Sequence, residues 1–236
     1  MAILPRLNWL EARLIWARLY SGSMITVGVF CMHVETFTVG MLSTNCYVAN
    51  CKETKEAIVI DPGLDFAAEA KPIFDYIEQA QLKVKFIVNT HGHQDHINCD
   101  ALFQEKYQVP ICIHKQDVRF IENLQTGTHP ANIMLLDGDA VKFGTETLKV
   151  MHTPGHTLGS ICLVGEKLVF TGDTLFALGI GRTDFPESAP PLMRESLDKL
   201  VLLPGALVIY PGHGETSTIG IEKEANPFLS LGDMFG

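Results

Sequence analysis

One short segment, residues 90–96 (Thr-His-Gly-His-Gln-Asp-His), constrains this chain more than any other part of its sequence. It places three histidines and one aspartate within six residues, directly after an apolar run at 84–89. His91 and His93 are two residues apart, a spacing that puts side chains on opposite sides of a helix but lets a loop aim both at one ion. The segment therefore predicts a metal site in a loop.

Gly92 and Asp95 place this loop between a strand and a helix. Gly92 permits unusual backbone dihedrals between the two histidines, and Asp95 suits the start of the helix that the following apolar residues suggest. Histidine and aspartate without cysteine are ligands for a borderline cation such as zinc. The alternative interpretation is a polar loop that only caps the helix.

Three further segments pair a glycine with one histidine or aspartate, and each follows a predicted strand. They are the segments 153–157, 171–174 and 211–214. Taken alone, each would be a turn or a hydrogen-bonded loop residue. Together with the first cluster they supply enough ligands to hold two metals with an open position between them. The candidate ligands are His91, His93, Asp95, His96, His156, Asp173 and His213.

The composition fits one large domain that acts on a small molecule. The chain has 236 residues and is 47% hydrophobic, which is enough for a buried core without a second domain. Its net charge is −9 and it shows no basic stripe, which argues against nucleic acid as the main partner. No apolar run is long enough to span a bilayer, so we expect no membrane partner. The oligomeric state stays open.

The six cysteines indicate the compartment. They show no CxxC pair and no framework spacing, which favours reduced thiols that lie mostly in the core. We therefore predict a cytoplasmic protein. The cysteines are Cys31, Cys46, Cys51, Cys99, Cys112 and Cys162.

Residues 1–33 differ in character from residues 34–236, which carry the predicted domain. In this N-terminal extension apolar residues recur at helical spacing, and two arginines share another face. A transit peptide, a packing helix, and translated upstream sequence with Met24 or Met32 as the functional start all fit this pattern. We favour the upstream-sequence interpretation; a mitochondrial location is the alternative if the extension is a transit peptide.

Strands and helices alternate from residue 34 onwards, and the second half is richer in strands. Two packed sheets covered by helices on the outside account for this pattern. The predicted strands are 34–39, 46–49, 57–60, 84–89, 109–113, 140–143, 147–152, 160–164, 168–171 and 207–210, and the predicted helices are 67–81, 114–123 and 191–203, with one more after the histidine cluster. We expect a polar connection at 124–133.

The ordered set of seven ligands, each in its glycine context, resembles the metallo-β-lactamase superfamily over roughly residue 34 to the C-terminus. The resemblance implies an α/β fold, a four-layer αβ/βα sandwich with two metals at one edge of its two sheets. It also implies how the ligands divide: His91, His93 and His156 hold the first metal, Asp95, His96 and His213 hold the second, and Asp173 bridges them.

Branches of the superfamily differ at single positions. Zinc β-lactamases proper commonly carry a cysteine where this chain has Asp173, and diiron flavoproteins typically have glutamate at the position of His93. The nuclease branches rely on inserted or basic elements that this acidic chain lacks. The chain looks most like the small, single-domain members of the glyoxalase II-like branch, on the segments 40–47, 180–186 and 226–229.

Arg182 is the predicted substrate-binding residue. A glutathione-contacting lysine stands at this position in glyoxalase II, and a guanidinium suits bidentate carboxylate binding. The alternative is a surface pair with Asp184, which replaces an aromatic residue that contacts glutathione in the family. Glyoxalase II enzymes carry a further helical domain after the last ligand histidine; 23 residues follow His213, so we expect that domain to be missing.

The resemblance implies metal-dependent hydrolysis of a thioester such as S-lactoylglutathione. Two divalent ions, with zinc favoured over iron or manganese, lower the pKa of a bridging water to give a nucleophilic hydroxide. Asp95 is the predicted catalytic residue, a metal ligand that also orients this hydroxide. Iron-dependent persulfide (sulfur) dioxygenation is the first alternative, lactone hydrolysis the second, and a non-catalytic binding role the third.

The remaining histidines complete no ligand set. They are His33, His114, His129 and His152. Asp61 is a stronger candidate for an outer role, since it ends a predicted strand and belongs to an Asp-Pro-Gly turn like one that recurs in the superfamily. Its alternative role is turn formation alone.

Overall fold

The computed structural model describes residues 32–122 and 133–230. The predictions for the N-terminal extension, for Cys31, and for most of the polar connection around His129 lie outside the described residues. The division into an extension and a domain therefore stays a prediction.

The first sheet combines an antiparallel half and a parallel half. Its strands are β1 Met32–Val39, β2 Thr44–Cys51, β3 Glu56–Ile60, β4 Lys83–Val88, β5 Ile111–His114 and β6 Ile133–Leu135. They lie side by side in chain order. The pairs from β1 to β3 are antiparallel, whereas β3 to β6 run parallel and are connected through helices.

The second sheet is mostly antiparallel. Its strands are β7 Ala140–Phe143, β8 Glu146–His152, β9 Ile161–Val164, β10 Leu168–Gly172, β11 Val208–Pro211 and β12 Ser217–Thr218. They also lie in chain order, from β7 at one edge to β12 at the other. Among the described strands of this second sheet, only β10 and β11 pair in parallel, which brings the carboxyl ends of these two strands to the same edge of the sheet.

The helices follow the strands as the sequence predicts. They are α1 Lys71–Gln79, preceded by the 3-10 turn Ala67–Ala70, then α2 Gln94–Ile97, α3 Asp100–Tyr107, α4 Val118–Glu122, α5 Pro190–Leu200, α6 Ile219–Ala225 and α7 Pro227–Ser230. In α1, Ile73 and Ile77 lie one turn apart and are both buried. No helix in the described part is long and apolar enough to cross a membrane.

The core lies on both faces of the first sheet. On one face, Val59 and Ile87 belong to a buried cluster that includes Ile73 of α1 and Phe103 of α3. On the other face, the ring of Tyr47 in β2 packs 5.2 Å from the ring of Phe170 in the second sheet. The five described cysteines are buried, in line with the prediction that the cysteines lie mostly in the core. These layers confirm the predicted α/β sandwich with two mixed sheets.

Several elements differ from the sequence prediction. The predicted helix at 114–123 begins only at Val118, because His114 pairs with Leu135 and completes β5. The helix after the histidine cluster is split into α2 and α3. The short edge strands β6 and β12 and the last two helices were not predicted, since segments this short carry no clear period.

The fold brings four strand ends to one place. The strands β4, β10 and β11 end directly before residues of the predicted metal site, and β3 ends before Asp61 beside β4. A single bridge between Thr44 and His213 joins the two sheets at this edge. The backbone N–H of Asn45 donates to the carbonyl of Gly212 across the same boundary at 2.7 Å.

Candidate metal centre

The structure brings all seven predicted ligands together at this edge. Among the described residues, their ligand atoms form three overlapping groups in which all atoms lie within 4.8 Å of one another. The groups are His91, His93 and His156; Asp95, His96 and His213; and His91, His96 and Asp173. The first two match the division between two metals that the resemblance implies, although each residue's role as a ligand stays a prediction.

The first group consists of three imidazoles whose nitrogens converge. His93 Nδ1 lies 3.1 Å from His91 Nε2 and 2.8 Å from His156 Nε2. Burial lowers the pKa of His91, and the neighbouring histidines lower it further. Burial also lowers the pKa of His156, although Asp173 opposes this shift. Both rings are therefore neutral near pH 7, the form that binds a metal.

The second group combines one carboxylate with two imidazoles. Asp95 Oδ2 lies 3.5 Å from His96 Nε2 and 3.3 Å from His213 Nε2, and the two nitrogens are 3.3 Å apart. Thr44 Oγ1 donates to Asp95 Oδ2 at 3.1 Å, which fixes the carboxylate. The pKa of Asp95 is well below its usual range, because hydrogen bonding and charge from His213 and His96 outweigh the effect of burial. Asp95 is therefore an anion here.

Asp173 lies between the two groups. Its Oδ1 is 3.4 Å from His96 Nε2, and its Oδ2 is 3.4 Å from His156 Nε2 and 3.5 Å from His213 Nε2. Burial raises the pKa of Asp173, but the charges of His96 and His213 outweigh it and lower the pKa. The buried Oδ1 has no hydrogen-bond partner in the described part of the chain.

This unpartnered oxygen tests whether the site fits metal ions. A buried carboxylate oxygen without a donor is costly, and a bound cation removes that cost. The surrounding nitrogens offer lone pairs at the same point, so the donor set is three imidazoles on one side and two imidazoles with a carboxylate on the other. These are the nitrogen and oxygen ligands of zinc and similar ions. The seven residues therefore fit a pair of metal ions.

In each of these five histidines, the ring nitrogen that faces away from the cluster also has a partner. Each one lies within hydrogen-bonding distance of an oxygen, so the neutral ring holds its proton there and turns its lone pair towards the cluster. The neighbouring carboxylates outweigh burial and raise the pKa of His96 and His213, so these two rings must lose a proton to bind a metal. The contacts are His91 Nδ1 to Thr90 Oγ1 at 3.2 Å, His93 Nε2 to Glu187 Oε1 at 2.8 Å, His96 Nδ1 to Asp61 Oδ2 at 3.0 Å, His156 Nδ1 to the Arg182 carbonyl at 2.7 Å and His213 Nδ1 to the Leu42 carbonyl at 3.1 Å.

Asp61 contacts one of the predicted ligands, His96, as its predicted outer role requires. Besides the bond from His96, its carboxylate accepts hydrogen bonds from the backbone and the hydroxyl of Thr90, both at 2.7 Å. The residue is buried and adopts a φ of +50°, a left-handed conformation that aspartate tolerates better than most residues. Asp61 therefore supports the loop and one of its ligands at once.

Asp117 makes similar contacts, although its sequence context predicts no such role. Its buried carboxylate accepts hydrogen bonds from Gly92 N at 2.9 Å, Thr157 Oγ1 at 2.6 Å and Gly159 N at 2.9 Å. It thereby joins the loop that carries His91 and the loop that follows β8. No local motif marks this residue, since its partners are distant in sequence.

The other described histidines lie outside the three groups. His114 and His152 stack on each other with ring centroids 4.1 Å apart and an angle of 16° between the rings. His152 Nε2 donates to the carbonyl of Leu158 at 2.8 Å. His33 pairs with Glu35 at 3.4 Å. These contacts are structural, as expected.

A pocket of about 480 Å³ opens onto the cluster of predicted metal ligands. Its apolar lining includes Phe176, Ile180 and Phe185. Arg182 also lines it, but its guanidinium forms two hydrogen bonds to Asp184, both of 2.9 Å, and lies 4.5 Å from the centre of the Phe185 ring. Arg182 therefore makes the pair with Asp184 that was its alternative role. It also lines the pocket, as its predicted role in substrate binding requires. The role in substrate binding stays a prediction.

Comparisons with known proteins give a consistent family. A sequence model described as the metallo-beta-lactamase superfamily matches residues 39–213. The hydroxyacylglutathione hydrolase GloC of Haemophilus influenzae is 33% identical over 214 residues, which cover 84% of this chain and 99% of that protein. The human mitochondrial persulfide dioxygenase ETHE1 is 33% identical over 195 residues, which cover 80% of this chain and 72% of that protein.

Solved structures share the fold. The B3 metallo-beta-lactamase BLEG-1 superposes with a TM-score of 0.76 at 31% identity, covering 84% of this chain and 100% of that chain. The protein TTHA1623, solved in a di-iron-bound form, superposes with a TM-score of 0.73 at 29% identity, covering 83% of this chain and 100% of that chain.

Proposed function

Because the chain belongs to the metallo-β-lactamase superfamily, we propose that it is a metal-dependent hydrolase that cleaves a thioester such as S-lactoylglutathione. One observation carries this proposal. Both groups of three ligand-type residues are complete, and the carboxylate of Asp173 lies between them, with Oδ1 3.4 Å from His96 Nε2 and Oδ2 3.4 Å from His156 Nε2. This arrangement suits a two-metal hydrolytic site.

The relatives support a hydrolase of this size. The chain matches nearly the full length of GloC, whose name assigns it hydroxyacylglutathione hydrolysis. The human dioxygenase is equally identical but is matched over a smaller share of its length. We therefore rank thioester hydrolysis first.

The residues that line the pocket favour a water nucleophile over a protein nucleophile. Two bound metal ions supply Lewis acidity and lower the pKa of a water to about 7. None of the described residues lining the pocket is serine, threonine, cysteine or lysine. Asp95, fixed by Thr44, is the residue that we assign to orienting the attacking water. The departing thiolate has a conjugate pKa of about 8.5 and so needs little help from a general acid.

The loop around Arg182 is the proposed substrate-binding wall. Phe176, Ile180 and Phe185 offer apolar contact to the acyl or thiol portion. Arg182 offers bidentate binding to a carboxylate if it exchanges Asp184 for the substrate. The proposed partner of the site is therefore a small thioester that carries an anionic group.

Zinc is the proposed metal, because histidine and aspartate suit it and neither group contains a cysteine. Iron and manganese are the alternatives, and the similarity to a protein solved in a di-iron-bound form favours testing iron directly. We propose a cytoplasmic location, because the sequence shows no CxxC pair and no framework spacing and the described cysteines are buried.

Turnover of S-lactoylglutathione by protein reloaded with zinc, iron(II) or manganese(II) tests the proposal. We expect metal-dependent thiol release by the wild type and its loss in Asp173→Ala, which removes the residue between the groups. Asp198→Ala is the matched control, since Asp198 is exposed on α5 and pairs only with Arg194 among the described contacts. No turnover in any fully metallated wild-type form would exclude this thioester.

Persulfide dioxygenation is the second candidate, since the human relative carries that name. Oxygen consumption with glutathione persulfide, measured on the iron-loaded protein, distinguishes it from hydrolysis. The complete second group of Asp95, His96 and His213 favours hydrolysis, because a single metal does not need these residues. A lactone and a β-lactam belong in the same substrate panel, the latter because BLEG-1 is a β-lactamase.

A further inference from the structure

Glu187 lies outside the predicted ligand set, yet its carboxylate contacts one of the ligands. It belongs to the segment between β10 and α5, and its Oε1 accepts a hydrogen bond from His93 Nε2 at 2.8 Å. The side chains are only 16% exposed for His93 and 23% exposed for Glu187. This contact is therefore shielded from water more than an ordinary surface pair.

The contact determines which nitrogen of His93 faces the cluster. His93 Nδ1 lies within 3.1 Å of both His91 Nε2 and His156 Nε2, whereas Nε2 points away towards Glu187. An imidazole can present either nitrogen, and a carboxylate on one of them fixes the proton there and the lone pair on the other. Of the three histidines in the first group, only His93 presents Nδ1.

The same segment also holds His156. The backbone carbonyl of Arg182 accepts from His156 Nδ1 at 2.7 Å, and Ser188 Oγ donates to the His156 carbonyl at 2.7 Å. The segment 182–188 therefore supports two of the three first-group histidines. It also forms one wall of the pocket, through Arg182, Phe185 and Glu187.

We propose that Glu187 is a positioning residue that fixes the orientation of His93 for metal binding and ties the first metal group to the substrate-facing segment 182–188. The proposal rests on the metal-dependent part of the proposed function and not on the identity of the substrate. A positioning role for Glu187 and a simple ion pair predict different effects on metal affinity. A surface ion pair contributes little to stability and nothing to metal affinity, whereas an outer partner of a ligand histidine changes metal affinity about 10–100-fold.

Metal titration of the variants Glu187→Ala and Glu187→Gln tests this role. We expect Glu187→Ala to lower the affinity of one of the two metal equivalents about 10–100-fold. Glu187→Gln should lose less, because an amide oxygen can still accept from Nε2–H. Glu195→Gln removes the same charge from an exposed position on α5 and serves as the matched control.

Variants made in an Asp95→Ala background test whether the loss of metal affinity belongs to the first group. In Asp95→Ala the second group loses its carboxylate, so one high-affinity equivalent should remain. Adding Glu187→Ala to this background should weaken that remaining equivalent, and the cobalt(II) absorption spectrum of the site should change with it. These readouts do not require turnover, so failure of the thioester proposal and failure of the Glu187 proposal are distinguishable.

Two results would overturn the role. One is Glu187→Ala binding both equivalents with wild-type affinity and an unchanged cobalt(II) spectrum. The other is an equal loss of affinity at both sites that accompanies a lower unfolding temperature of the metal-free protein, which would indicate a purely structural contribution.

Discussion

Asp117 accepts a 2.6 Å hydrogen bond from Thr157 Oγ1 and so connects the start of α4 to the loop that carries His156. The other bonds of the same carboxylate reach Gly92, between two ligand histidines, and Gly159. Because the carboxylate is fully buried, the backbone N–H groups of Gly92 and Gly159 depend on it for a partner, whereas Thr157 Oγ1 also lies 2.8 Å from Ser160 Oγ. One buried carboxylate therefore holds together two loops that supply ligand-type residues from different sheets.

Replacing Asp117 should destabilise the protein even without metal. We expect Asp117→Asn to lower the free energy of unfolding by about 2–4 kcal/mol, because one of the buried donors then faces an amide NH₂ instead of an oxygen. Urea unfolding of the metal-free protein measures this. Asp198→Asn on the exposed face of α5 should change the midpoint little. A wild-type midpoint for Asp117→Asn would contradict the role of this carboxylate.

Gly212 should be essential for metal binding because a side chain at this position has no room. A Cβ at this position would overlap Asp173 Oδ1 and lie 2.9 Å from His96 Cε1. Gly212→Ala should therefore displace Asp173 and leave the purified protein with less than about a tenth of the wild-type metal affinity.

Gly179→Ala is the matched control for that substitution. The nearest atom to a Cβ at Gly179 is 3.9 Å away, which is ordinary contact. Metal analysis after dialysis should thus separate the two alanine variants. Equal metal content would show that the loop at Gly212 can relax around the added methyl group.

The metal centre could be predicted from sequence to the extent that its residues carry local signals. His93 and Asp95 sit in one dense segment, and Asp173 and His213 each follow a strand beside a glycine. Asp61 was also identified, since its Asp-Pro-Gly turn ends a buried strand. In these cases the ligand-type side chain and the end of a strand lie within a few residues of each other, so the local sequence is enough to identify them.

The supporting residues could not be predicted, because their partners are far away in the chain. Glu187 contacts a histidine 94 positions earlier, and Asp117 contacts a threonine 40 positions later. A single acidic residue in a loop gives no indication of such a partner. The edge strand β6 was missed for a related reason, since its pairing to β5 at His114 and Leu135 depends on the sheet and not on its own three residues.

Asn226 should control the substrate-facing wall from the C-terminal end. Its amide Nδ2 lies 3.3 Å from the carbonyl of Phe176, 3.1 Å from that of Gly179 and 2.8 Å from Glu222 Oε2. Asn226→Ala should release the segment at Phe176, which lines the pocket but contributes no metal ligand. We therefore expect KM for the thioester to rise about tenfold with kcat within about twofold.

The metal content of Asn226→Ala separates this effect from damage to the centre. It should equal that of the wild type, because the segment that Asn226 holds, at Phe176 and Gly179, contributes none of the seven ligand-type residues. A loss of both kcat and bound metal would instead mean that the substitution disturbs the pocket wall and the metal centre together.

His114 should make the stability of this protein fall in mild acid. Burial lowers its pKa to about 4, and the charges of the stacked His152 and of Lys115 add to the shift. An unfolded histidine has a pKa of about 6.5. Between these values the unfolded chain binds a proton that folded His114 does not, so the free energy of unfolding decreases as the pH falls from about 6.5 to about 4. At 1.36 kcal/mol per pKa unit, the 2.5-unit difference sets an upper limit of about 3 kcal/mol.

Comparison with His114→Phe isolates this contribution. Phenylalanine can keep the stack on His152 but cannot titrate, whereas the histidines of the metal centre titrate equally in both proteins and cancel in the difference. Urea unfolding of the metal-free proteins from about pH 7 to about pH 4.5 should show a shallower loss of stability for the variant. Parallel curves would mean that His114 is protonated in the folded state at the same pH as in the unfolded chain, and that the stack does not keep it neutral.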